Sequence, residues 1–385
     1  MTAQIKCDFC ESRNMDHVYD PINSTRGMRV YVCRHCGLVQ SISTSAYTSA
    51  PPGSMSGDAN RSSYRYTKEL VFGNYLPLFE RYLDFNAFRS VLDIGSNRGI
   101  FVEWALENYP HLHIHAIEPQ ESVVQAYRNH AQVKLEIARF EDVILKESVY
   151  DFVYCVHTLE HSLSASQMMR ESYKALKPGG LFFLAVPQTL LFHDDLIEEI
   201  FIDPHTFHFD LGILREFTRQ LGFKTLFSTE EKDAEVILIL EKVHAGEGRF
   251  IPVNGGAAAH NISKILNYRD RIHSNRALLQ KIGDHLNDLS RTNALIVWGA
   301  GRIFDILVRE GKVDIARIKA VFDKVLYKFI DRTHGCVISQ PRPRSDFKEP
   351  GVVVFIASRE YSAEIREEAK KLGFNKMISF TDFFA

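Results

Sequence analysis

Three observations predict an α/β fold with a doubly wound, mainly parallel sheet in the middle of this chain. From about residue 89, short β-rich runs alternate with amphipathic stretches. One run, Val91-Leu92-Asp93-Ile94, empties into a turn bearing Gly95 and Gly99. The alternation continues to about residue 241, long enough for several βαβ units whose helices cover both faces of a sheet.

The strands are predicted at 90–94, 112–117, 133–138, 150–156, 181–186, 223–228 and 235–241, and the helices at 99–108, 120–129, 162–176 and 211–221. Too few residues separate the last two strands for a helical crossover, so they should pair antiparallel. Residues 44–62, with Pro51-Pro52-Gly53-Ser54, read as a connection or lid, and Leu70, Leu76, Phe79 and Leu83 mark a helix after it. Residues 246–262, with Pro252, Gly255 and Gly256, read as a linker. A long helix pattern follows at about 262–290. A second strand-turn-helix start then begins at Leu295 and reaches Gly299-Ala300-Gly301. Strands near 318–322 and 351–356 and a helix at 361–372 complete a smaller α/β domain. The divisions are 1–43, 44–88, 89–245 and 246–385.

At 385 residues the length favours two or three domains. Hydrophobic residues at 45% and charged residues at 24% are the ordinary mix of a chain with a sizeable core. Lys and Arg total 46 against 48 Asp and Glu, so no global field draws the chain to nucleic acid or an anionic membrane. No apolar run is long enough for a bilayer, and the beginning lacks a secretory pattern. A cytoplasmic protein with no nucleic-acid or membrane partner is expected; the oligomeric state is open.

Four of the six cysteines lie in the first 36 residues, as Cys7-x-x-Cys10 and Cys33-x-x-Cys36. Two such knuckles suit one tetrahedral zinc ion, and four thiolates leave no open coordination position. A structural zinc is expected, holding together a lobe with little core of its own. Disulfide pairing is the alternative; His35, inside a knuckle, is expected to be exposed.

The turn at 95–99 permits close approach of a ligand to the backbone and opens a helix whose first amides are unpaired. Glu118 ends the next strand, where a carboxylate can accept both ribose hydroxyls of a nucleoside. Arg139-Phe140-Glu141 ends the third strand, and Phe140 with Glu141 can hold an adenine.

Asp93-Ile94-Gly95-Ser96-Asn97-Arg98-Gly99 resembles the first motif of class I methyltransferases, with Asn97 where a middle glycine often lies. His157-Thr158-Leu159-Glu160-His161 and Leu176-Lys177-Pro178-Gly179-Gly180 resemble that family's segments around the fourth strand and the turn into the fifth. The resemblance spans roughly 89–241. It implies a seven-stranded sheet and S-adenosylmethionine, with the methionine end near 95–99, the ribose on Glu118 and the adenine near Phe140. Asp93, Gly95, Asn97, Gly99, Glu141 and His157 complete the expected cofactor set. Methyl transfer from a sulfonium asks chiefly for alignment and, where needed, a base.

For that base, Ile202-Asp203-Pro204-His205-Thr206-Phe207-His208 follows the fifth strand, where loops cover the ligand crevice. His205, His208 and His161 are the candidates, since histidine titrates near neutrality. The whole layout is similar to the nucleotide-sugar C-methyltransferases, which methylate C3 of a nucleotide-linked 4-keto deoxysugar. By that similarity Tyr64, His161 and His205 surround the sugar. Pro204 replaces the family's glutamate ahead of the base, and Arg98 stands where aspartate is common. Both C- and O-methylation therefore stay open. So do a non-sugar small-molecule acceptor and a zinc-dependent interaction or RNA-binding module on a vestigial methyltransferase fold.

In the last domain Asp323 falls near the spacing of a ribose-binding acid, but Phe304 occupies the third glycine position. A second redox cofactor is not expected. By resemblance the domain holds the nucleotide of the substrate, with Gly301, Arg302 and Lys328 near phosphate; packing support is the alternative.

Overall fold

The computed structural model describes residues 5–22, 24, 26–43, 71–188, 198, 200–201, 203, 205–243, 256–328 and 330–384. These form two compact units, one from the described residues up to 270 and one from residue 271 onward. Tyr64, Pro204, the 44–62 connection and residues 246–255 lie outside the described residues.

The first unit opens with β1 (Met15–Tyr19), β2 (Met28–Cys33) and β3 (Val39–Ser43), an antiparallel meander. Helix α1 (Leu76–Tyr82) precedes β4 (Ser90–Ile94), α2 (Ile100–Asn108), β5 (His113–Ile117), β6 (Val133–Glu136) and β7 (Tyr150–Val156). Helix α3 (Ala165–Ala175), β8 (Leu176–Pro187), the two-residue β9 (Phe207–His208), α4 (Leu211–Leu221), β10 (Phe223–Ser228) and β11 (Glu235–Lys242) follow.

Seven of these strands form one sheet in the order β10-β11-β8-β7-β4-β5-β6. Strands β8, β7, β4, β5 and β6 pair parallel, while β11 runs antiparallel to both of its neighbours. The pairing of β10 with β11 is the antiparallel one expected from their short separation.

Strand parity divides the core. Leu92, Ile94, Val153 and Cys155 point to the face covered by α3 and α4, and Val91, Phe152 and Tyr154 to the face covered by α1 and α2. Both faces are buried, which is why these strands read as continuous apolar runs. Ser164 caps α3 by accepting from the Gln167 amide, and Asp210 caps α4 through Ile213. Gly222, at φ 101°, closes α4.

The cysteine lobe does not stand apart from this core. Cys7, Phe9, Cys10, Cys33, Cys36 and Leu38 are packed in the same cluster as the α3/α4 face of the sheet. Phe9 stacks on Phe217 of α4 with centroids 4.0 Å apart. β3 also pairs with β9, so the meander's sheet gains a fourth strand from the segment that follows β8.

Three boundaries differ from the sequence reading. The helix expected at 120–129 is a 3-10 turn, Glu121–Ala126, because the chain must swing Tyr127 back against the 95–99 turn. The third strand stops at Glu136, and Phe140–Asp142 is a separate 3-10 turn. The fifth strand begins early, at Leu176, where it pairs with Tyr150.

Helix α5 (Ala257–Leu289) starts inside the stretch expected to be a linker. Its end belongs to the second unit, with β12 (Ala294–Trp298), α6 (Arg302–Arg309), β13 (Ile318–Phe322), β14 (Arg332–Thr333), β15 (Cys336–Ser339), β16 (Val352–Ile356), α7 (Ser362–Lys371) and β17 (Met377–Ser379). The sheet order is β14-β15-β13-β12-β16-β17, parallel except for the β14–β15 pair. No described helix is long and apolar enough to cross a membrane.

Candidate methyl-donor and acceptor sites

The turn after β4 is shaped by positive φ angles at Gly95 (74°), Asn97 (48°) and Gly99 (79°). A Cβ on Gly95 would lie 2.1 Å from Thr158 Oγ1, and one on Gly99 2.1 Å from Tyr127 Cδ1. Both glycines are required by neighbouring side chains as well as by the backbone. Tyr127 Oη is 2.7 Å from Ser96 Oγ and donates to the Asn97 carbonyl at 2.8 Å. This tyrosine clamps the turn, and nothing in the local sequence pattern announced it.

Glu118 is buried and its carboxylate is oriented by two amides, Asn97 N–H onto Oε2 at 2.9 Å and Gln120 N–H onto Oε1 at 2.8 Å. A carboxylate has about four lone-pair sites, so each oxygen keeps capacity for a hydroxyl. Burial pushes its pKa up, against the pull of the two amides. Asp93, at the carboxyl end of β4, is 1% exposed, and neither of its oxygens has a hydrogen-bond partner among the described residues. Burial pushes its pKa well up, and the nearby Glu118 charge adds to that. Two orphaned carboxylate oxygens beside a glycine turn fit a cationic ligand with hydroxyls, the chemistry of S-adenosylmethionine.

Phe140 is buried in the α3/α4 core, and Glu141 Oε1 accepts from the Leu163 amide at 2.6 Å. His157, at φ 49°, places Nε2 2.6 Å from Glu235 Oε1, and Tyr75 Oη donates to the same carboxylate. On its other side His157 Nδ1 lies 3.7 Å from Glu160 Oε1.

Glu160, which the sequence reading passed over inside its own motif, is the hub of the acceptor side. It is 1% exposed, and His161 Nε2 lies 3.8 Å from its Oε1. Burial alone would raise its pKa, but the His157 hydrogen bond and the surrounding histidines bring it below the usual glutamate value. His161 sits on a 3-10 turn, Leu159–His161, and its ring centroid is 4.8 Å from that of His205. Burial, with the His161 charge, lowers the His205 pKa to about 4, so its ring is neutral at pH 7. Its Nδ1 faces the Ile200 carbonyl at 3.3 Å, which puts the proton on Nδ1 and the lone pair on Nε2.

His208 is placed differently. It is 1% exposed, its Nε2 is 2.7 Å from Ser41 Oγ, and the Phe201 ring meets it edge-on at 4.6 Å. Its hydrogen bond is to the cysteine lobe, while its ring neighbours are Phe201 and, at 6.5 Å, His205.

The four cysteines are buried, with Sγ–Sγ distances of 3.5 Å for Cys7–Cys36 and for Cys10–Cys33. Sulfurs about 2.3 Å from one tetrahedral ion stand about 3.8 Å apart, so the group fits zinc. No disulfide joins them. Glu160, His161 and His205 also bring ligand atoms within 4.8 Å of one another, a looser set.

In the second unit the Asp323 carboxylate is engaged by the amides of Ala300 (3.0 Å), Val325 (2.9 Å) and Leu326 (2.8 Å). A Cβ on Gly301 would meet nothing within 4 Å. Lys328 lies over the Tyr327 ring.

Residues 65–226 match the profile of a family described as a methyltransferase domain. The segment that carries the 95–99 turn is therefore a methyltransferase domain. Among curated proteins none matches this chain. Among solved structures it is similar to an S-adenosylmethionine-dependent methyltransferase from Mesorhizobium loti (15% identity, 43% of this chain and 97% of that one, TM-score 0.37). It is also similar to the PH0226 protein from Pyrococcus horikoshii (16%, 48% and 93%, TM-score 0.39). A third is the 1,6-didemethyltoxoflavin-N1-methyltransferase from Burkholderia thailandensis (17%, 53% and 96%, TM-score 0.34). At these scores the structural likenesses add nothing to the family match.

Proposed function

We propose that this protein is an S-adenosylmethionine-dependent methyltransferase that acts on a nucleotide-linked sugar, either at the carbon beside a ketone or at a hydroxyl, with His205 as general base. The observation that carries the reading is the His161–His205 pair, with ring centroids 4.8 Å apart, His161 on the turn that follows β7 at its carboxyl end and His205 just ahead of β9. The carboxyl end of β7 is the sheet end from which the 95–99 turn also rises. S-adenosylmethionine, when bound, supplies a methyl group on a sulfonium whose thioether is a good leaving group.

In this proposal Asp93 faces the ammonium of the donor, Glu118 takes its ribose, and the chain near Phe140 and Glu141 borders its adenine. Asn97, Gly95 and Gly99 shape the turn, and His157 is held ready by Glu235. His205 Nε2 takes a proton from the acceptor while Nδ1–H stays on Ile200. Glu160 stabilises the imidazolium that forms. His161 borders the sugar, and Cys7, Cys10, Cys33 and Cys36 bind a structural zinc. The functional division follows residues 1–43, 44–88, 89–245 and 246–385, and the protein works in the cytoplasm. Support for the sugar comes from the resemblance of the layout to the nucleotide-sugar C-methyltransferases. Pro204, in place of a glutamate, keeps oxygen transfer beside carbon transfer.

The test is incubation with 4-keto-deoxysugar nucleotides in deuterated water. Enzyme-dependent exchange beside the ketone, lost in His205→Ala, supports carbon transfer. Methylation without exchange supports oxygen transfer, and no methylation of any sugar nucleotide turns the reading to a non-sugar acceptor.

A further inference from the structure

We propose that Ser41, on the cysteine lobe, is a positioning residue that sets the His161–His205 pair by holding the 206–208 segment, with its hydroxyl on His208 as the side-chain part of that hold; the inference rests on that pair facing the acceptor. Ser41 lies on β3, opposite Val30 of β2 and five residues after the second knuckle ends at Cys36. Its backbone amide donates to the Thr206 carbonyl at 2.8 Å. Its hydroxyl meets His208 Nε2 at 2.7 Å. One residue thus grips the 205–208 segment twice, on either side of Phe207.

Thr206 completes the bracket from the other direction. Its amide donates to the Glu160 carbonyl at 2.9 Å, and its hydroxyl to the carbonyls of Ser162 (2.7 Å) and Glu160 (3.1 Å). The chain therefore runs from Ser41 through Thr206 to the turn that carries His161. His205 precedes Thr206 by one residue and has little freedom to leave its neighbour's ring. A second tie joins the lobe to the same region. Asp8, inside the first knuckle, accepts from Ser164 Oγ at 2.6 Å and from the Ser166 amide at 2.7 Å at the start of α3.

The groups that face the His205 ring are His161, Glu160 and His157 on the β7 side and His208 on its own segment. A ring released from this bracket gains solvent, and its titration returns toward the ordinary histidine value of 6.5.

The experiment uses the full chain with its metal, labelled with 15N-histidine, and assigns His205 by comparison with His205→Gln. In Ser41→Ala the His205 midpoint rises by at least about one unit from its value near 4. Amides 205–209 exchange with solvent at least about tenfold faster, and S-adenosylhomocysteine binding stays within about twofold. Ser41→Thr, which keeps the hydroxyl, restores both signals. An unchanged midpoint and unchanged exchange in Ser41→Ala overturn the proposal. If that variant does not fold, Thr206→Val, which keeps shape and loses the hydroxyl, is read against the same criteria. Absence of S-adenosylhomocysteine binding by the wild-type chain would instead count against the methyltransferase reading and leave the bracket standing.

Discussion

A methyl group on Gly99 would stand 2.1 Å from the Tyr127 ring, whose phenol reaches back 2.7 Å to Ser96 in the same turn. The donor turn is thus held from behind by a tyrosine. Gly99→Ala meets both that clash and a left-handed backbone costing roughly 1–2 kcal/mol. The expected result is a lowered melting temperature and at least about tenfold weaker S-adenosylhomocysteine binding. Tyr127→Phe, which removes hydrogen bonds worth about 1 kcal/mol each, should weaken binding by less than Gly99→Ala. Calorimetry on both variants checks the order.

Asp93→Asn should raise the melting temperature of the ligand-free protein while weakening donor binding. A carboxyl whose pKa is raised by folding costs stability as pH climbs through that raised value, and the amide carries no such penalty. Thermal denaturation at pH 5 and pH 8 should show the gain growing with pH. An equal gain at both values would contradict the assignment.

Glu118→Ala should weaken S-adenosylmethionine binding by about tenfold, the loss of a charged hydrogen bond, and also free the Asn97 and Gln120 amides. Hydrogen exchange at residues 95–99 should rise with it. Unchanged affinity would remove Glu118 from the site.

His205 sets a pH signature. Its folded pKa, about 4, is below the ordinary 6.5, so between these values the unfolded chain binds a proton that the folded chain refuses. The stability associated with a neutral His205 is complete above pH 6.5 and is lost as pH falls toward 4. His208, also lowered by burial, acts in the same direction. His205→Gln should flatten part of this acid limb in denaturant titrations, and a limb identical to wild type would contradict it.

Metal analysis of protein with reduced cysteines should give about one zinc per chain. Cys33→Ser should abolish it, and His161→Ala should leave it unchanged. Two equivalents, one lost in His161→Ala, would assign the looser Glu160, His161 and His205 group to a metal as well.

The seven-stranded sheet was legible because strands buried on both faces leave apolar runs, and the β10–β11 pairing because a short connection allows little else. Asp93, Gly95, Glu118 and the four cysteines were legible because turn, strand end and knuckle spacing are local patterns. Tyr127, Glu235 and Ser41 were not. Each acts on a partner at least 30 residues away, such as Ser96, His157 or His208, and no periodicity encodes such a meeting. The helix expected at 120–129 failed for the same reason, since its turn is dictated by where Tyr127 must go.

The pairing of Gln40 with Phe207 gives the meander's sheet a partner made much later. At ribosomal rates of about 5–20 residues per second, β3 waits roughly 10–30 s for β9 to be synthesised. Until then its outer edge, with the amides and carbonyls of Val39 and Gln40, is an open template for other strands. Nascent chains should therefore be most prone to association in that interval, and variants that weaken β3 as a strand should accumulate less aggregate during synthesis, even where they destabilise the finished protein.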